Sequence, residues 1–393
     1  MSEQGRHYRP ADFELAVVGG GPVGASLARA ARGFVTALVA RERRDPTRRA
    51  GGAFDARVYA LSPGNVEFLR GLGVWRRLAP ERLCAVHAMR VFGDDGASCI
   101  EFDAYQAGVS ALAWIVEDAA LQDALWDGLE AEVVAPARCA ELRVNDEAAV
   151  LRLEDGRRVS AKLVVGADGA SSFVRREAGI EAAESDYGEA AVVANFRCEK
   201  PHRNTAFQWF QAGAVLALLP LPDGQVSMVW SLPAAEAARV ERLEPQALCR
   251  EVALASRQSV GALSVSTPPR SYALRRLSAR RLVASRVALA GDAAHIVHPL
   301  AGQGLNLGLQ DVRELAAVLA SREPMRDPGE LGLLRRYERS RAEPILAMDG
   351  MVDGLHALFV ARNPLAARLR NAGLNLAGRV PVLKNILMRH AMR

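Results

Sequence analysis

Lysine is almost missing from this chain. It stands only at 162, 200 and 384, and arginine carries the rest of the positive charge. The arginines are scattered among aspartates and glutamates, and no nucleic-acid-binding motif accompanies them. The net charge of +5 is therefore no footprint for DNA or RNA. Cysteine is scarce too, with five residues at 84, 99, 139, 198 and 249. Their odd number, wide spacing and lack of any C-x-x-C exclude a disulfide frame or a zinc ribbon. They fit reduced thiols in a cytoplasmic protein. The histidines form no ligand set: His295-x-x-His298 has no cysteine or carboxylate pattern beside it, so no metal is expected. No apolar run approaches the roughly 18 residues of a membrane span. The longest, Ala212 to Leu219, is cut by Pro220 and Pro222. Met1 to Asp12 is polar and lacks the apolar core of a signal peptide. Carboxylates stop at Asp353, while Arg362, Arg368, Arg370, Arg379, Lys384, Arg389 and Arg393 follow. Leucines after Asn363-Pro364 and after Pro381 make that tail a basic amphipathic pair of helices. It suits either an anionic membrane surface or the protein's own body.

What is present is a nucleotide-binding opening. Phe13 to Val18 reads as a strand and runs into Gly19-Gly20-Gly21-Pro22-Val23-Gly24, with a helix of small residues behind it. This is Gly-x-Gly-x-x-Gly between a strand and a helix, its required context. Gly19 makes the tight turn, Gly21 admits a pyrophosphate, and Gly24 lets helix and strand close up. Val35 to Ala40 is the second strand. The acid that would hold a ribose is Glu42, about 18 residues past Gly24, although the slot counted from Gly33 falls on Ala40. A surface glutamate among Arg41, Arg43 and Arg44 would look the same.

Two later stretches repeat the strand-turn-helix theme. Leu163 to Gly166 leads into Asp168-Gly169 and on to Arg175. Val287 to Ala290 leads into Gly291-Asp292, then His295, then His298-Pro299-Leu300-Ala301-Gly302-Gln303-Gly304-Leu305-Asn306 and on to Asp311. Both place a carboxylate beyond the carboxyl end of a buried parallel strand, where open α/β sheets bind ligands. The amides around Gly302 to Leu305 open a helix, whose N-terminus favours negative charge. Read blandly, Asp168 is an Asx-turn and Asp292 an N-cap. Between Tyr187 and Ser231 the pattern changes to alternating strands, with Asp223-Gly224 as a hairpin turn. Trp209, Phe210, Leu216, Leu218, Met228 and Trp230 there either line a pocket or form plain sheet core. Alternation lets at most half of them do the former.

The three motifs in this order resemble the FAD-dependent aromatic hydroxylases of class A. His298-Pro-Leu-Ala-Gly-Gln-Gly-x-Asn306-x-Gly-x-x-Asp311 and the Trp209-Phe210 to Trp230 region are similar to the ubiquinone-biosynthesis hydroxylases. Phe54-Asp55-Ala56-Arg57-Val58-Tyr59-Ala60-Leu61 resembles that family's D-x-R-x-x-A-L segment, and Asp118 replaces the Asn of its Val-Glu-Asn. The resemblance implies an α/β fold like that of p-hydroxybenzoate hydroxylase. A Rossmann-type FAD-binding domain (10–75, 105–180 and 275–345) would carry an inserted antiparallel-sheet substrate domain (76–104 and 181–274), with a helical basic tail over 346–393. It implies FAD held by Gly19, Gly21, Gly24, Glu42, Arg57, Asp168, Gly291, Asp292, Pro299, Gly302, Gln303, Gly304, Leu305 and Asn306. It implies reduction by NAD(P)H, O₂ addition at flavin C4a, and hydroxylation of a polyprenylated phenol by the hydroperoxide. The cofactor would supply the hard chemistry, which accounts for the absence of a Ser/His/Asp or metal cluster. Partners would be the phenol, O₂ and a peripheral contact with the inner face of the membrane or a ubiquinone-biosynthesis complex. No residue is assigned as base, although His295, His298 and Tyr59 stand near the motifs. Hydroxylation of another aromatic compound, FAD-dependent reduction of an isoprenoid chain and a flavin-bound assembly subunit are the alternatives.

Overall fold

The computed structural model describes residues 11–44, 54–95, 98–211, 213–298 and 304–360. Pro299, Gly302 and Gln303, and the tail from 361 on, lie outside the described residues.

The chain opens with β1 (Phe13–Val18), α1 (Pro22–Ala30) and β2 (Thr36–Val39), then β3 (Val58–Leu61) and α2 (Pro63–Gly71). Next come β4 (Cys84–Val86), β5 (Ala88–Phe92), β6 (Cys99–Asp103), α3 (Ala104–Ala107), β7 (Ala113–Glu117) and α4 (Asp118–Trp126). They are followed by β8 (Glu132–Val134), β9 (Cys139–Val144), β10 (Ala149–Leu153), β11 (Arg158–Gly166) and α5 (Phe173–Glu177). The middle of the chain gives β12 (Ala182–Cys198), β13 (Thr205–Gln211), β14 (Ala214–Leu221), β15 (Gln225–Pro233), α6 (Ala234–Glu241) and α7 (Pro245–Ala255). It closes with β16 (Leu263–Ala279), β17 (Val283–Ala284), β18 (Val287–Leu289), β19 (His295–Ile296), α8 (Gly304–Ala320) and α9 (Leu331–Val360).

Three sheets result. The first runs β17-β18-β11-β1-β2-β8, with the β9–β10 hairpin attached through β11. Strands β18, β11, β1, β2 and β8 are parallel, and the aliphatic residues Leu15–Val18, Ala37–Val39, Leu163–Val165 and Val287–Leu289 at the centre of the sheet are buried. All three Asp- or Gly-bearing turns leave the same carboxyl edge, because β1, β11 and β18 are neighbours. The second sheet runs β19-β16-β12-β15-β14-β13-β5-β6 and is antiparallel except where β13 meets β5. The third is the small β3-β7-β4 sheet between them. This is the mixed α/β architecture with an antiparallel companion sheet that the motifs imply. Asp223 and Gly224 both take positive φ, 56° and 65°, and join β14 to β15 as the Asp-Gly pair predicts.

Alternation decides what the second sheet does with its aromatics. Trp209, Leu216, Leu218, Met228 and Trp230 face α6 and α7 and form a core with Ala237, Val240, Leu248 and Val252. Phe210 faces the other way, with Val91 and Ile100. All six residues are therefore buried in cores, five against α6 and α7 and Phe210 on the opposite face.

Candidate active site

Close backbone approach builds the site. Gly19 sits at φ +118°, and a Cβ there would lie 2.1 Å from the Ala167 carbonyl oxygen. The turn after β1 thus rests directly on the turn after β11. A Cβ at Gly24 would lie 1.9 Å from the Gly19 oxygen, so only glycine lets α1 begin so near its strand. Gly21, the N-cap of α1, is different: a Cβ there would meet nothing within 4 Å, and no side chain caps its helix. The first amides of α1 therefore have no side-chain cap, and no carboxylate in the first turn answers them.

Val23, in that first turn, is where the third motif arrives. A Cβ on Gly291 would lie 2.9 Å from Val23 Cγ2, and one on Gly308 would lie 2.7 Å from it. The turn over Gly291–Ala293 and the first part of α8 thus close on the N-terminus of α1, about 270 positions away in sequence. Asp292 is accessible in this concavity yet crowded by protein. Burial raises its pKa, and His295 and Arg57 oppose that rise. Arg57 comes in from the loop before β3. Its own charge is favoured, against desolvation, by Tyr59, Asp118, Asp292 and Tyr272. Tyr59 donates to Asp118 at 3.0 Å. Its phenol is pushed well up, first by burial, so it stays protonated.

Several candidate residues do something other than face the concavity. Asp168 caps α5: its carboxylate accepts from Ser172 Oγ and from the amides of Phe173, at 2.7 Å, and Val174. Arg175 is buried and donates to the Ala293 carbonyl at 2.9 Å, bracing the turn that carries Asp292. Asn306 is buried, and its side chain is used inside the protein. It accepts from the Ser62 amide and Asn65 Nδ2, both at 2.9 Å, and donates to the Ala60 carbonyl at 2.8 Å. That stitches the start of α8 to the β3–α2 junction. Gly304 and Leu305 open α8 beside it. Glu42 stands exposed beyond β2, three positions after Val39, while Ala40 is buried against the Gly20 side of the turn. Sequence reasoning missed the Asn306–Asn65–Ser62 stitch and the Arg175 brace. Their partners are distant in the chain and follow no local pattern.

The second sheet supplies the opposite wall. Its inward face carries, by strand alternation and register, Ala191, Val193 and Asn195 on β12 and Ser227, Val229 and Ser231 on β15. Val215, Ala217 and Leu219 follow on β14. Asn195 Nδ2 donates to the carbonyls of Phe54 and Asp55, which fixes that face toward the Arg57 loop. Val215, Ala217 and Val229 are only partly buried although their strands are central, whereas Leu216, Leu218 and Met228 on the other face are fully buried. This face, with its small and medium side chains, is therefore less covered than the face packed on α6 and α7. At one end Glu189 Oε2 lies 3.0 Å from His298 Nε2, with the Tyr187 ring 4.8 Å from the imidazole.

Fold and site together define a flavin-type nucleotide-binding protein: one extended ligand site revisited by three turns of a parallel sheet, walled by an antiparallel sheet. The glycine cradle, the uncapped amides of α1 and the accessible Asp292 fit a dinucleotide with a pyrophosphate and a polyhydroxyl chain. The family model described as "FAD binding domain" matches residues 12–348, and the chain belongs to that family and, within it, to the ubiquinone-biosynthesis hydroxylases. It is 34% identical to 3-demethoxyubiquinol 3-hydroxylase of Escherichia coli K12, over 96% of this chain and 98% of the relative. It is 34% identical to the ubiquinone hydroxylase UbiL of Rhodospirillum rubrum, over 96% and 89%. Among solved structures the fold is similar to Pseudomonas aeruginosa PqsL in complex with 2-aminobenzoylacetate, with TM-score 0.76 and 23% identity over 92% of this chain and 99% of that one. It is also similar to p-nitrophenol 4-monooxygenase PnpA of Pseudomonas putida, with TM-score 0.76 and 18% identity over 98% and 99%. No helix among the described residues is long and apolar enough to cross a membrane, no described cluster could hold a metal ion, and all five cysteines are free.

Proposed function

We propose that this protein is an FAD-dependent monooxygenase that uses NAD(P)H and O₂ to hydroxylate the ring of a polyprenylated phenol in ubiquinone biosynthesis. The observation that carries the reading is the partly uncovered inward face of the second sheet, which we read as the floor of a substrate slot. A nucleotide site with Asp292 at its accessible edge faces a sheet whose central residues are Ala217, Val229 and Ala191, small enough to leave room for a planar ring. Bound FAD supplies the redox chemistry with O₂, and NAD(P)H supplies the electrons. The first-turn amides of α1 with Gly19, Gly21 and Gly24 would hold the pyrophosphate. Asp292 would hold hydroxyls of the chain, and Arg57, Gly304 and Leu305 would line the flavin end. Asp168, Gly291 and Asn306 would serve by shaping turns. Cofactor contacts of Pro299, Gly302 and Gln303, and the ribose contact of Glu42, belong to the same proposal.

The chain's own work is positioning and dryness. The wall, apolar apart from Asn195, Ser227 and Ser231, would limit water in the slot, which strengthens charge interactions inside it. Glu189, 3.0 Å from the buried His298 Nε2, stands on the inward face one step along β12 from Ala191. Contact with an anionic membrane surface is part of the proposal, on the run of basic residues after Asp353, and places the protein at the cytoplasmic face.

Ala217→Phe and Val229→Phe test the slot. Each would fill it from the floor, away from Asp292 and α1. The expected result is a normal flavin spectrum with phenol-stimulated NAD(P)H oxidation reduced at least about 10-fold, the scale of about 1.4 kcal/mol of lost transition-state binding. Unchanged stimulation in both variants would remove the ring from this wall.

A further inference from the structure

We propose that α9 belongs to the apparatus that holds the cofactor: through Arg341 and Asp311 it sets the turn that presents Asp292. The inference rests on the assignment of Asp292 to FAD made above.

Asp311 on α8 is completely buried, and its two oxygens divide their partners. Oδ2 accepts from the Gly291 amide at 2.9 Å and lies 2.6 Å from His295 Nε2. Oδ1 accepts from Arg341 Nε at 2.7 Å. Burial alone would raise the Asp311 pKa, but His295, Arg341 and the Gly291 amide reverse this and keep the carboxylate charged. Gly291 directly precedes Asp292, and it has no slack. Its φ is +61°, and its Cα side is packed against Val23. Pulling on its amide therefore moves the Asp292 carboxylate. Arg175 grips the other end of the same turn at the Ala293 carbonyl. The turn is thus held at both ends by buried charged side chains that do not enter the concavity.

Arg341 is itself buried and also donates to the Leu307 carbonyl at 3.3 Å and to Gln310. The helix that carries it is anchored at both sheets. Tyr337 donates to the Leu289 carbonyl at 2.8 Å, at the end of β18, and Glu338 accepts from the Leu282 amide at 2.9 Å. Further along, Asp349 accepts from Arg276 Nε on β16 at 3.1 Å, and Met348 packs on the Val91–Ile100–Phe210 cluster. One helix therefore touches the strand end that carries Asp292, the buried Asp311 and the wall of the slot. Asp311 and Arg341 are positioning residues, because they act through the Gly291 turn. Removing one member of such a buried charge group leaves the others uncompensated, so the cost falls where the group is attached.

The test is a double-mutant cycle read by FAD affinity. Apoprotein is titrated with FAD and followed by flavin fluorescence for Asp292→Ala, Asp311→Asn, Arg341→Met, Arg341→Lys and the pairs of each with Asp292→Ala. Thermal unfolding of each apoprotein reads the purely structural part. Asp311→Asn and Arg341→Met should weaken FAD binding at least about 10-fold, with Arg341→Lys recovering part of the loss. In the Asp292→Ala background the same changes should cost less than about threefold further, because the contact they position is already gone. Equal losses in both backgrounds, or affinities within about twofold of wild type for both single variants, would overturn the proposal. If Asp311→Asn fails to fold, the Arg341 variants complete the cycle. Wild-type FAD affinity in Asp292→Ala would overturn the cofactor assignment together with this proposal. Additive losses would overturn this proposal alone.

Discussion

Asp292→Ala is expected to emerge from purification depleted of FAD, with affinity lowered roughly 10- to 150-fold, the range for losing about 1.5–3 kcal/mol of charge-assisted hydrogen bonding. The reason is geometric. Asp292 is the accessible carboxylate where the Gly291–Ala293 turn meets the first turn of α1. The apoprotein should lose no stability, because burial already raises the Asp292 pKa and its charge is a burden on the empty fold. Flavin absorbance of the purified protein and an FAD titration check the first part. A melt of the apoprotein checks the second.

Gly19→Ala should act in the opposite way, through the fold. The methyl group would occupy a backbone position at φ +118° and lie 2.1 Å from the Ala167 oxygen. Strain in that region costs about 1–3 kcal/mol, and forcing the two turns apart a similar amount. The sum, about 2–6 kcal/mol, is a large fraction of a domain's stability. Poor soluble yield and a lower urea midpoint are expected. Gly21→Ala is the matched comparison, since its φ is −71° and a Cβ would meet nothing. Its apoprotein should melt within about 0.5 kcal/mol of wild type, while FAD binding weakens because the methyl group enters the ligand's space. If Gly19→Ala were as stable as Gly21→Ala, the close contact between the β1 and β11 turns would be wrong.

Local chemistry made much of this fold legible. The strand-glycine-helix at 13–30 and the Asp223-Gly224 hairpin are short-range patterns, and the structure forms both where they stand. The later motifs each marked the carboxyl end of a buried strand, and β11 and β18 lie in one sheet with β1. Less was visible where partners are far apart. The long strand β16 went unnoticed because Pro268 and Pro269 interrupt its sequence, yet it runs along β12 from Leu263 to Ala279. The two sides of the second sheet could be told to differ but not which was which. That choice depends on α6 and α7 covering the Trp209–Trp230 face. The Asp311 to Arg341 contact joins two helices, and no periodicity announces it. Asn306 shows the same limit. Its place in a signature said nothing of its hydrogen bonds to Ala60, Ser62 and Asn65.

The most direct test of the account is oxygen transfer under ¹⁸O₂. The FAD-loaded protein is supplied with NAD(P)H and a short-chain prenylated phenol, and the product is read by mass spectrometry. The account predicts a product with one added oxygen, labelled from O₂, and at least about 10-fold less of it with Ala217→Phe. Oxidation of NAD(P)H with no label in the ring, or a product that has gained hydrogen on its chain and no oxygen, would contradict it.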